Sequence, residues 1–178
     1  MDIKIPDENL ALLLDEVINR HSMRKRELNQ KVLSKIRYLN ANYRGIGDLS
    51  GIENLVNLET LYLSWNSFRD LTPLSKLPKL RRLDLSGNPQ IDWEGLDVTF
   101  DSVEYLDIRS CMIESDEFLK HFPNLKEVSL YNNRIRSINM MYNLERLESV
   151  DLRHNSVSDE EIEVFINHTG CCVQAGTA

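Results

Sequence analysis

The chain has 178 residues, 42% of them hydrophobic, which is enough for one globular domain with a sizeable core. Its formal net charge of −7 argues against the phosphate backbone of a nucleic acid or an anionic membrane surface as the main partner. No apolar run approaches the roughly 20 residues of a membrane helix. The three cysteines, two of them adjacent, do not make a disulfide framework.

The N-terminal segment, residues 1–35, is predicted to be helical. Between Pro6 and Arg20 apolar residues recur with the 3.6-residue period of an amphipathic helix, behind Asp7 as a suitable N-cap. A second helical stretch is predicted over residues 25–34. Because the open end of a repeat array must be covered, and a repeat begins at residue 36, we interpret residues 1–35 as an N-terminal helical cap.

From residue 36 the sequence repeats with a period of 22 residues, interrupted by one step of 23. Apolar residues occupy the first, fourth and sixth places of each repeat, and the ninth place is Asn or Cys except in the first repeat. This L-x-x-L-x-L-x-x-N/C-x-L pattern is typical of leucine-rich repeats, in which each repeat contributes one short strand to a parallel sheet. The six repeats span residues 36–157 and begin at Ile36, Leu58, Leu80, Val103, Leu125 and Leu147.

The predicted fold class is therefore α/β: a right-handed leucine-rich repeat solenoid, or horseshoe, with six parallel strands on its concave side. Asparagine at the ninth place can satisfy inward-facing backbone groups of the turn that follows each strand. Cys111 is a small substitute at this place, and we expect it to be structural rather than reactive. Arg44 cannot replace Asn there, which indicates that the first repeat is partly a cap.

The last segment, residues 158–178, is predicted to be a C-terminal capping helix and tail. Ser158 is followed by an acidic run that ends at Glu161, a capping box for a helix that runs to about His168. Residues 170–178 are small and polar, and we expect them to fray.

Charges alternate in sign at the second place of the repeats, which stacked strands would bring into lateral contact. Such exposed pairs contribute roughly 0–1 kcal/mol each, so the predicted role of this ladder is to favour the correct register. Its members are Arg37, Glu59, Arg81, Glu104, Lys126 and Glu148.

Two stretches resemble known families. DLTPLSKLPKLRRLDLSGN (70–88) is similar to the SDS22-type class of leucine-rich repeats. IPDENLALLLDEVINR (5–20), followed by GIGDLSGIENLVNLETLYLSWNSF (45–68), resembles the helical cap and first repeats of bacterial internalin-like proteins. The resemblance implies a non-enzymatic bacterial protein that binds host proteins through its concave strand face.

The third, fifth, seventh and eighth places of each repeat are predicted to face the concave side, because strand side chains alternate. Five of the six tyrosines fall on these places, whereas the phenylalanines fall on inward or convex positions. Strand propensity and ring stacking could explain the tyrosines, but we favour recognition, since Tyr, Trp and Arg dominate interface hot spots. The candidate partner-binding residues are Tyr38, Tyr43, Tyr62, Trp65, Arg82, Asp84, Tyr105, Asp107, Arg109, Tyr131, Asp151 and Arg153.

Catalytic and metal-binding patterns are weak. A Ser110/Asp107/His154 site would have to join residues two repeats apart, about 10 Å at the strand spacing. No glycine-rich loop for phosphate is evident. The adjacent cysteines near the C-terminus rarely ligate one ion well. We therefore expect no enzymatic activity, no cofactor and no metal.

The favoured hypothesis is a monomeric protein-binding module with Tyr62, Trp65 and Tyr105 as anchors, in a cluster of rings predicted for the N-terminal half of the concave face. Neither nucleic acid nor membrane insertion is expected. A glycan receptor and an SDS22-like regulatory subunit of a phosphatase stay open as alternatives. A cytoplasmic location is expected, because residues 1–10 lack the basic segment and apolar run of a secretory signal. A secreted or cell-surface protein whose signal peptide has been removed would look the same.

Overall fold

A computed structural model describes residues 3–20, 22 and 25–176 of the chain, and its architecture is a leucine-rich repeat horseshoe with one open parallel sheet. Each strand covers the third to fifth places of a repeat, and each pairs with the strands before and after it in the chain. The described residues form seven strands rather than the six predicted. They are β1 (Tyr38–Asn40), β2 (Thr60–Tyr62), β3 (Arg82–Asp84), β4 (Tyr105–Asp107), β5 (Glu127–Ser129), β6 (Ser149–Asp151) and β7 (Cys172–Gln174).

The core lies between the sheet and the convex side, and the apolar places of the repeats fill it. In the second repeat, for example, Leu58, Leu61 and Leu63 are fully buried. All five phenylalanines are buried as well, as the sequence predicts. Because side chains alternate along a strand, burial of the fourth place leaves the third and fifth places for the concave surface.

The ninth-place asparagines connect neighbouring repeats, which confirms the role predicted for them. The Asn66 amide donates to the carbonyls of Ala41 and Leu63, at 2.9 and 2.8 Å. Its oxygen accepts from the backbone N–H groups of Arg44 and Ile46. Backbone groups that the turn would otherwise leave unpaired are thus satisfied in both repeats at once.

Cys111 takes this place in the fourth repeat, and its side chain is buried as expected. The thiol donates to the carbonyls of Leu85 and Arg109, both at 3.4 Å. Burial raises the pKa of the Cys111 thiol to about 11, which keeps it protonated at neutral pH. This cysteine is therefore structural.

The N-terminal helix α1 (Glu8–Asn19) has Asp7 as its N-cap, as the sequence predicts. It buries four apolar side chains in the core. One Asp7 oxygen caps the helix by accepting from Leu10 N–H, and the other accepts from the N–H groups of Gly47 and Asp48 in the first repeat. Burial alone would raise the Asp7 pKa, but these amides lower it below its usual value. The capping residue thereby attaches the helix to the repeats.

The second predicted helix is much shorter than expected: α2 spans only Gln30–Leu33. Asn29 is extended and caps this turn by accepting from Val32 N–H, so the helix cannot begin earlier. Asn19 instead holds the preceding loop by accepting from Arg26 N–H. The boundary of the predicted cap at residue 35 stays a prediction, and residues 1, 2, 21, 23 and 24 of that segment lie outside the described part.

The C-terminal helix α3 (Asp159–Thr169) is capped by Ser158, as predicted, although the capping box is only half formed. The Glu161 carboxylate accepts from Ser137 Oγ and Ile138 N–H instead of returning to the helix start. The prediction that the tail frays is wrong for residues 172–174, because β7 pairs in parallel with β6. Gly170, in the left-handed conformation, turns the chain from α3 towards this strand.

On the convex side most repeats carry a short 3₁₀ helix, and the repeat that begins at Leu80 does not. That repeat has the extra residue, and a turn at 93–95 replaces the helix. Trp93 packs there against Phe118 and Phe122, with ring centroids 4.6 and 6.5 Å away. The 3₁₀ helices of the other repeats are Ile52–Asn54, Thr72–Lys76, Glu117–His121 and Asn139–Asn143.

The predicted charge ladder is realised only in part. Arg37 pairs with Glu59 at 3.1 Å, and Lys126 with Glu104 at 3.2 Å. Within the described residues Arg81 forms no ion pair, so the alternating signs do not make a continuous ladder. In the same part of the chain, no helix combines the length and the hydropathy that crossing a membrane requires.

Candidate functional site

The eighth place of every repeat has a left-handed backbone, and this positions the side chains that follow each strand. φ is 56° or 57° at the five non-glycine residues and 69° at Gly87. A non-glycine residue in this region costs roughly 1–2 kcal/mol, which the surrounding hydrogen bonds must offset. The five are Tyr43, Trp65, Ser110, Asn132 and His154.

Two of these residues form an exposed aromatic stack. The rings of Tyr43 and Trp65 are nearly parallel, 8° apart, with centroids at 6.2 Å. The two side chains remain 72% and 52% exposed. The Tyr43–Trp65 stack is therefore a rigid apolar surface that water still contacts, which is how interface anchors are presented before binding.

Gly87 supports the stack from the other side of the indole. A Cβ at this position would lie 2.5 Å from both Trp65 Cδ2 and Cε2, the atoms shared by the two fused rings. Contact with both fusion atoms places the glycine over the ring face rather than at its edge. Trp65 is thus held between Tyr43 and the Gly87 backbone, and the lack of a side chain at residue 87 makes room for it.

The other predicted aromatics divide into two groups. Tyr38 and Tyr62 contact each other with ring centroids at 5.6 Å and planes 59° apart. Tyr105 does not join these rings as the sequence suggested; the Arg82 guanidinium lies 4.2 Å from its centroid instead. A long charged residue on the intervening strand β3 therefore separates Tyr105 from the N-terminal rings.

Arg–Asp pairs occupy the C-terminal half of the concave face. Arg109 donates to both Asp107 oxygens, at 2.8 and 2.7 Å, and Arg153 donates to both Asp151 oxygens, at 2.9 and 2.8 Å. Hydrogen bonding to Arg153 lowers the pKa of Asp151, and hydrogen bonding to Asp107 raises the pKa of Arg109. The planar forks of both pairs hold the guanidinium groups in fixed orientations.

Tyr131 joins this polar half to the turn after the sixth strand. The Arg153 guanidinium lies 5.5 Å from its ring centroid, and the His154 ring packs edge-on at 4.7 Å. Both neighbours contact the ring without covering it, since Tyr131 is half-buried.

Asp84 differs from its prediction as a surface contact, because its side chain is buried. Its oxygens accept from the hydroxyls of Ser64 and Ser86, at 2.7 and 2.6 Å, and from Ser86 N–H. Serines stand at the seventh place of these two repeats, where the fourth and sixth repeats have arginine. The small hydroxyls close over the carboxylate, so Asp84 supports the surface from below.

Two shallow cavities on the concave face bring the predicted residues together. One of about 380 Å³ lies beside the Tyr43–Trp65 stack, and one of about 310 Å³ lies between the Arg–Asp pairs; Asp84 and Arg109 border both. Tyr38 and Arg153 line neither cavity but contact residues that do. The other predicted residues that line one or the other are Tyr43, Tyr62, Trp65, Arg82, Tyr105, Asp107, Tyr131 and Asp151.

The structure adds three residues that sequence reasoning did not single out. Asn42 accepts from Ser64 N–H beside the stack, and Gly87 supports Trp65. Gln174 borders the second cavity from β7. Asn42 and Gly87 stand at predicted concave places and could have been included, whereas Gln174 depends on the strand that was predicted to fray.

The residues of the imagined catalytic site are engaged elsewhere. The Asp107 carboxylate is paired with Arg109, and Ser110 Oγ accepts from the Asn132 amide at 2.9 Å. His154 packs on Tyr131. Among the described residues, no group of His, Cys, Asp and Glu side chains could hold a metal ion.

Comparison with known sequences places the chain among leucine-rich repeat proteins. A family profile, Leucine Rich repeats (2 copies), matches residues 56–98. Receptor-like protein 7 of Arabidopsis thaliana is 35% identical over 138 residues, and Tsukushi of Gallus gallus is 33% identical over 109. These regions are 71% and 55% of this chain but only 14% and 29% of the relatives, so the chain spans less than a third of either.

Solved structures show the same fold. Internalin C2 from Listeria monocytogenes has a TM-score of 0.77 at 29% identity, with 96% of this chain and 74% of that chain covered. A leucine-rich repeat protein from Leptospira interrogans has a TM-score of 0.62 at 20% identity, over 86% and 40% of the two chains, which bears on fold alone.

The protein is thus a leucine-rich repeat solenoid, a class that generally mediates protein–protein interaction and is typically non-enzymatic. Within that class its architecture is internalin-like.

Proposed function

We propose that this protein is a non-enzymatic binding module whose concave face recognises a protein partner. The observation that carries the proposal is the Tyr43–Trp65 stack: two large rings, held rigid and yet more than half exposed. Ring stacking stabilises the fold by about 0.5–1.5 kcal/mol, but it does not require the indole to be half exposed; an interface gains an anchor that is already ordered before binding.

The C-terminal half of the concave face supplies polar discrimination. The guanidinium groups of Arg109 and Arg153 are each held by the aspartate two residues earlier, at the end of the preceding strand, so each presents its remaining N–H donors in a fixed direction. The half-exposed Tyr105 and Tyr131 lie against arginines. A partner surface with an apolar knob and nearby carboxylate or carbonyl acceptors fits this arrangement.

The glycan alternative is less well supported by the same geometry. Sugar rings stack on an open aromatic face, but Trp65 has Tyr43 over one face and Gly87 over the other. Within the Tyr43–Trp65 stack, the outer face of Tyr43 is the one left open for such stacking. A protein side chain, by contrast, can pack on the exposed edge of the stack and into the adjoining cavity.

A capture experiment tests the proposal. The intact chain is immobilised beside a Trp65→Ala/Arg109→Ala variant and a control, Val164→Asn, which alters an exposed residue on α3 away from the concave face. We expect a protein bound directly by the wild type and the control, lost by the concave variant, and confirmed with the purified partner. Binding on a glycan array that depends on Trp65, with no such protein partner, would overturn the proposal.

A further inference from the structure

A second surface lies outside the concave face, on the flank where two repeats lead into the convex side. It is a groove of about 720 Å³, bordered by Trp93 and Pro89 of the third repeat and by Met112 and Phe118 of the fourth. We refer to it as the lateral groove. It exists because the repeat that begins at Leu80 lacks a convex 3₁₀ helix, and the half-buried Trp93 occupies only part of the space.

Met112 is the residue whose presence in the groove calls for an explanation. Its side chain is 51% exposed, and its φ is +56°. The other described non-glycine residues with positive φ all lie at the eighth place, whereas Met112 lies at the tenth. In the first repeat, Gly45 holds this place with φ of 68°. A methionine here has an unfavourable backbone and gains little burial, although Gly or Asn would satisfy the turn better.

The contacts of Met112 do not account for it either. Its sulfur accepts a single weak contact from Arg134 Nη2 at 3.5 Å, and Arg134 already pairs with Glu114. Methionine is well suited to bind apolar side chains of varied shape, because its chain is flexible and its sulfur polarizable. Strain at an exposed apolar residue of this kind points to a ligand that covers it.

The rim of the groove is predominantly acidic. Four exposed carboxylates and two exposed cations border the groove. One of the four carboxylates, Glu114, is paired with Arg134. The remaining acids are Asp92, Glu94 and Glu117. An apolar floor within an acidic rim is complementary to an apolar side chain flanked by basic residues.

We propose that the lateral groove binds a peptide segment of a partner protein in which a bulky apolar residue is flanked by Lys or Arg. The apolar residue packs between Trp93 and Met112, and the basic residues pair with Glu94 and Glu117. This site does not depend on the concave face, and a protein could occupy both surfaces at once.

The two tryptophans of the chain allow a direct test, because Trp65 lies on the concave face and Trp93 in the lateral groove. In a Trp65→Phe background, Trp93 is the only indole and reports on the groove alone. The probe is a synthetic peptide with a central Phe flanked by lysines, added while Trp93 emission is followed. We expect saturable binding that is lost when glutamates replace the lysines or when serine replaces the Phe.

The decisive variant is Met112→Asn, because Asn is better tolerated at positive φ than Met. We expect its melting temperature to stay equal or rise, while peptide affinity falls about tenfold or more, as for removal of an anchor. Val164→Asn removes another exposed apolar side chain outside the groove and should leave affinity unchanged.

Three results would overturn the proposal: no binding of the basic peptide, equal affinity for the acidic peptide, or unchanged affinity in the Met112→Asn protein. A concentration-dependent rise in mass by sedimentation, abolished by Met112→Asn, would assign the groove to a second copy of the chain and would also refute it.

Discussion

The two halves of the concave face use the same backbone differently. In the N-terminal half the rings of Tyr43 and Trp65 stack at the eighth place, and Tyr38 contacts Tyr62 at the edge of the sheet. In the C-terminal half the eighth place carries Ser110, Asn132 and His154, and Arg–Asp pairs dominate. One half therefore offers apolar area and the other directed charge, so the two should differ in their dependence on packing and on salt.

The largest effect should come from removing residues 1–35, because helix α1 of this segment packs on the first repeat, at the aromatic end of the sheet. Leu10, Leu13 and Leu14 are almost fully buried, and burial of each such side chain stabilises the fold by about 1.5–3 kcal/mol. The lost burial approaches the whole stability of a small domain. We expect aggregation or loss of cooperative unfolding by circular dichroism. A truncated chain with an unchanged melting transition would refute the cap assignment.

Truncation of the anchor should separate binding from stability. Trp65→Ala is expected to weaken partner binding by about 2 kcal/mol or more, in the range of interface hot spots. Its cost in stability should be less than the roughly 3–5 kcal/mol of a buried Trp, because half of the side chain is exposed. Melting and binding are measured on the same protein.

The matched control for this variant is Trp93→Ala, which removes the other indole. Trp93 packs on Phe118, so this change should cost more stability and leave concave binding intact. If Trp65→Ala collapses the fold while binding per folded molecule persists, the N-terminal rings are core and the contrast between the two halves disappears.

Gly87→Ala tests the support beneath the stack. Alanine at φ of +69° costs roughly 1–2 kcal/mol, and its Cβ would also displace the indole. Gly170→Ala provides the comparison, since φ is 70° there and nothing lies within 4 Å. We expect the wavelength of Trp65 emission to shift, to the blue or the red, and partner binding to weaken in Gly87→Ala but not in Gly170→Ala. Equal loss of stability in both variants, with unchanged emission, would show that the stack does not depend on Gly87.

The smallest effects should come from the C-terminal half. Arg109 is half exposed, so Arg109→Ala should change stability by no more than about 1 kcal/mol. Partner binding should weaken modestly and become less sensitive to salt. Arg37→Ala, which breaks an exposed pair outside the concave places, is the control. If the salt dependence of partner binding stays the same in Arg109→Ala, the C-terminal half has no electrostatic role in binding.

The sequence was sufficient for the repeats because each place has a physical requirement that only certain residues meet. Burial at the fourth place and amide bonding at the ninth, as in Leu61 and Asn66, fix where each strand begins and ends. The seventh strand was missed because Gly170 and Cys171 do not resemble the start of a repeat. Val173 nevertheless pairs with Val150, which continues the repeat by one step of 23 residues.

The site was less predictable than the fold, because side chains choose partners that a repeat pattern does not specify. The pattern placed Tyr105 with the N-terminal rings, but Arg82 on the neighbouring strand competes for its face. It placed Asp84 at the surface, but Ser64 and Ser86 bury its carboxylate. The lateral groove is bordered by the turn that replaces a helix and by a strained methionine; the step of 23 residues marks that repeat in the sequence but specifies neither feature.

Cys111 gives the solenoid a preferred line of mechanical failure. The side-chain oxygen of a ninth-place asparagine also accepts from the backbone N–H of the ninth-place residue in the preceding repeat. Asn88 Oδ1, for example, accepts from Asn66 N–H at 2.8 Å. A thiol has no such oxygen, so at the junction between the third and fourth repeats one long sulfur contact, from Cys111 to the Leu85 carbonyl at 3.4 Å, replaces the amide rung. Under tension along the axis the horseshoe should part there first, and each fragment would keep one half of the concave face.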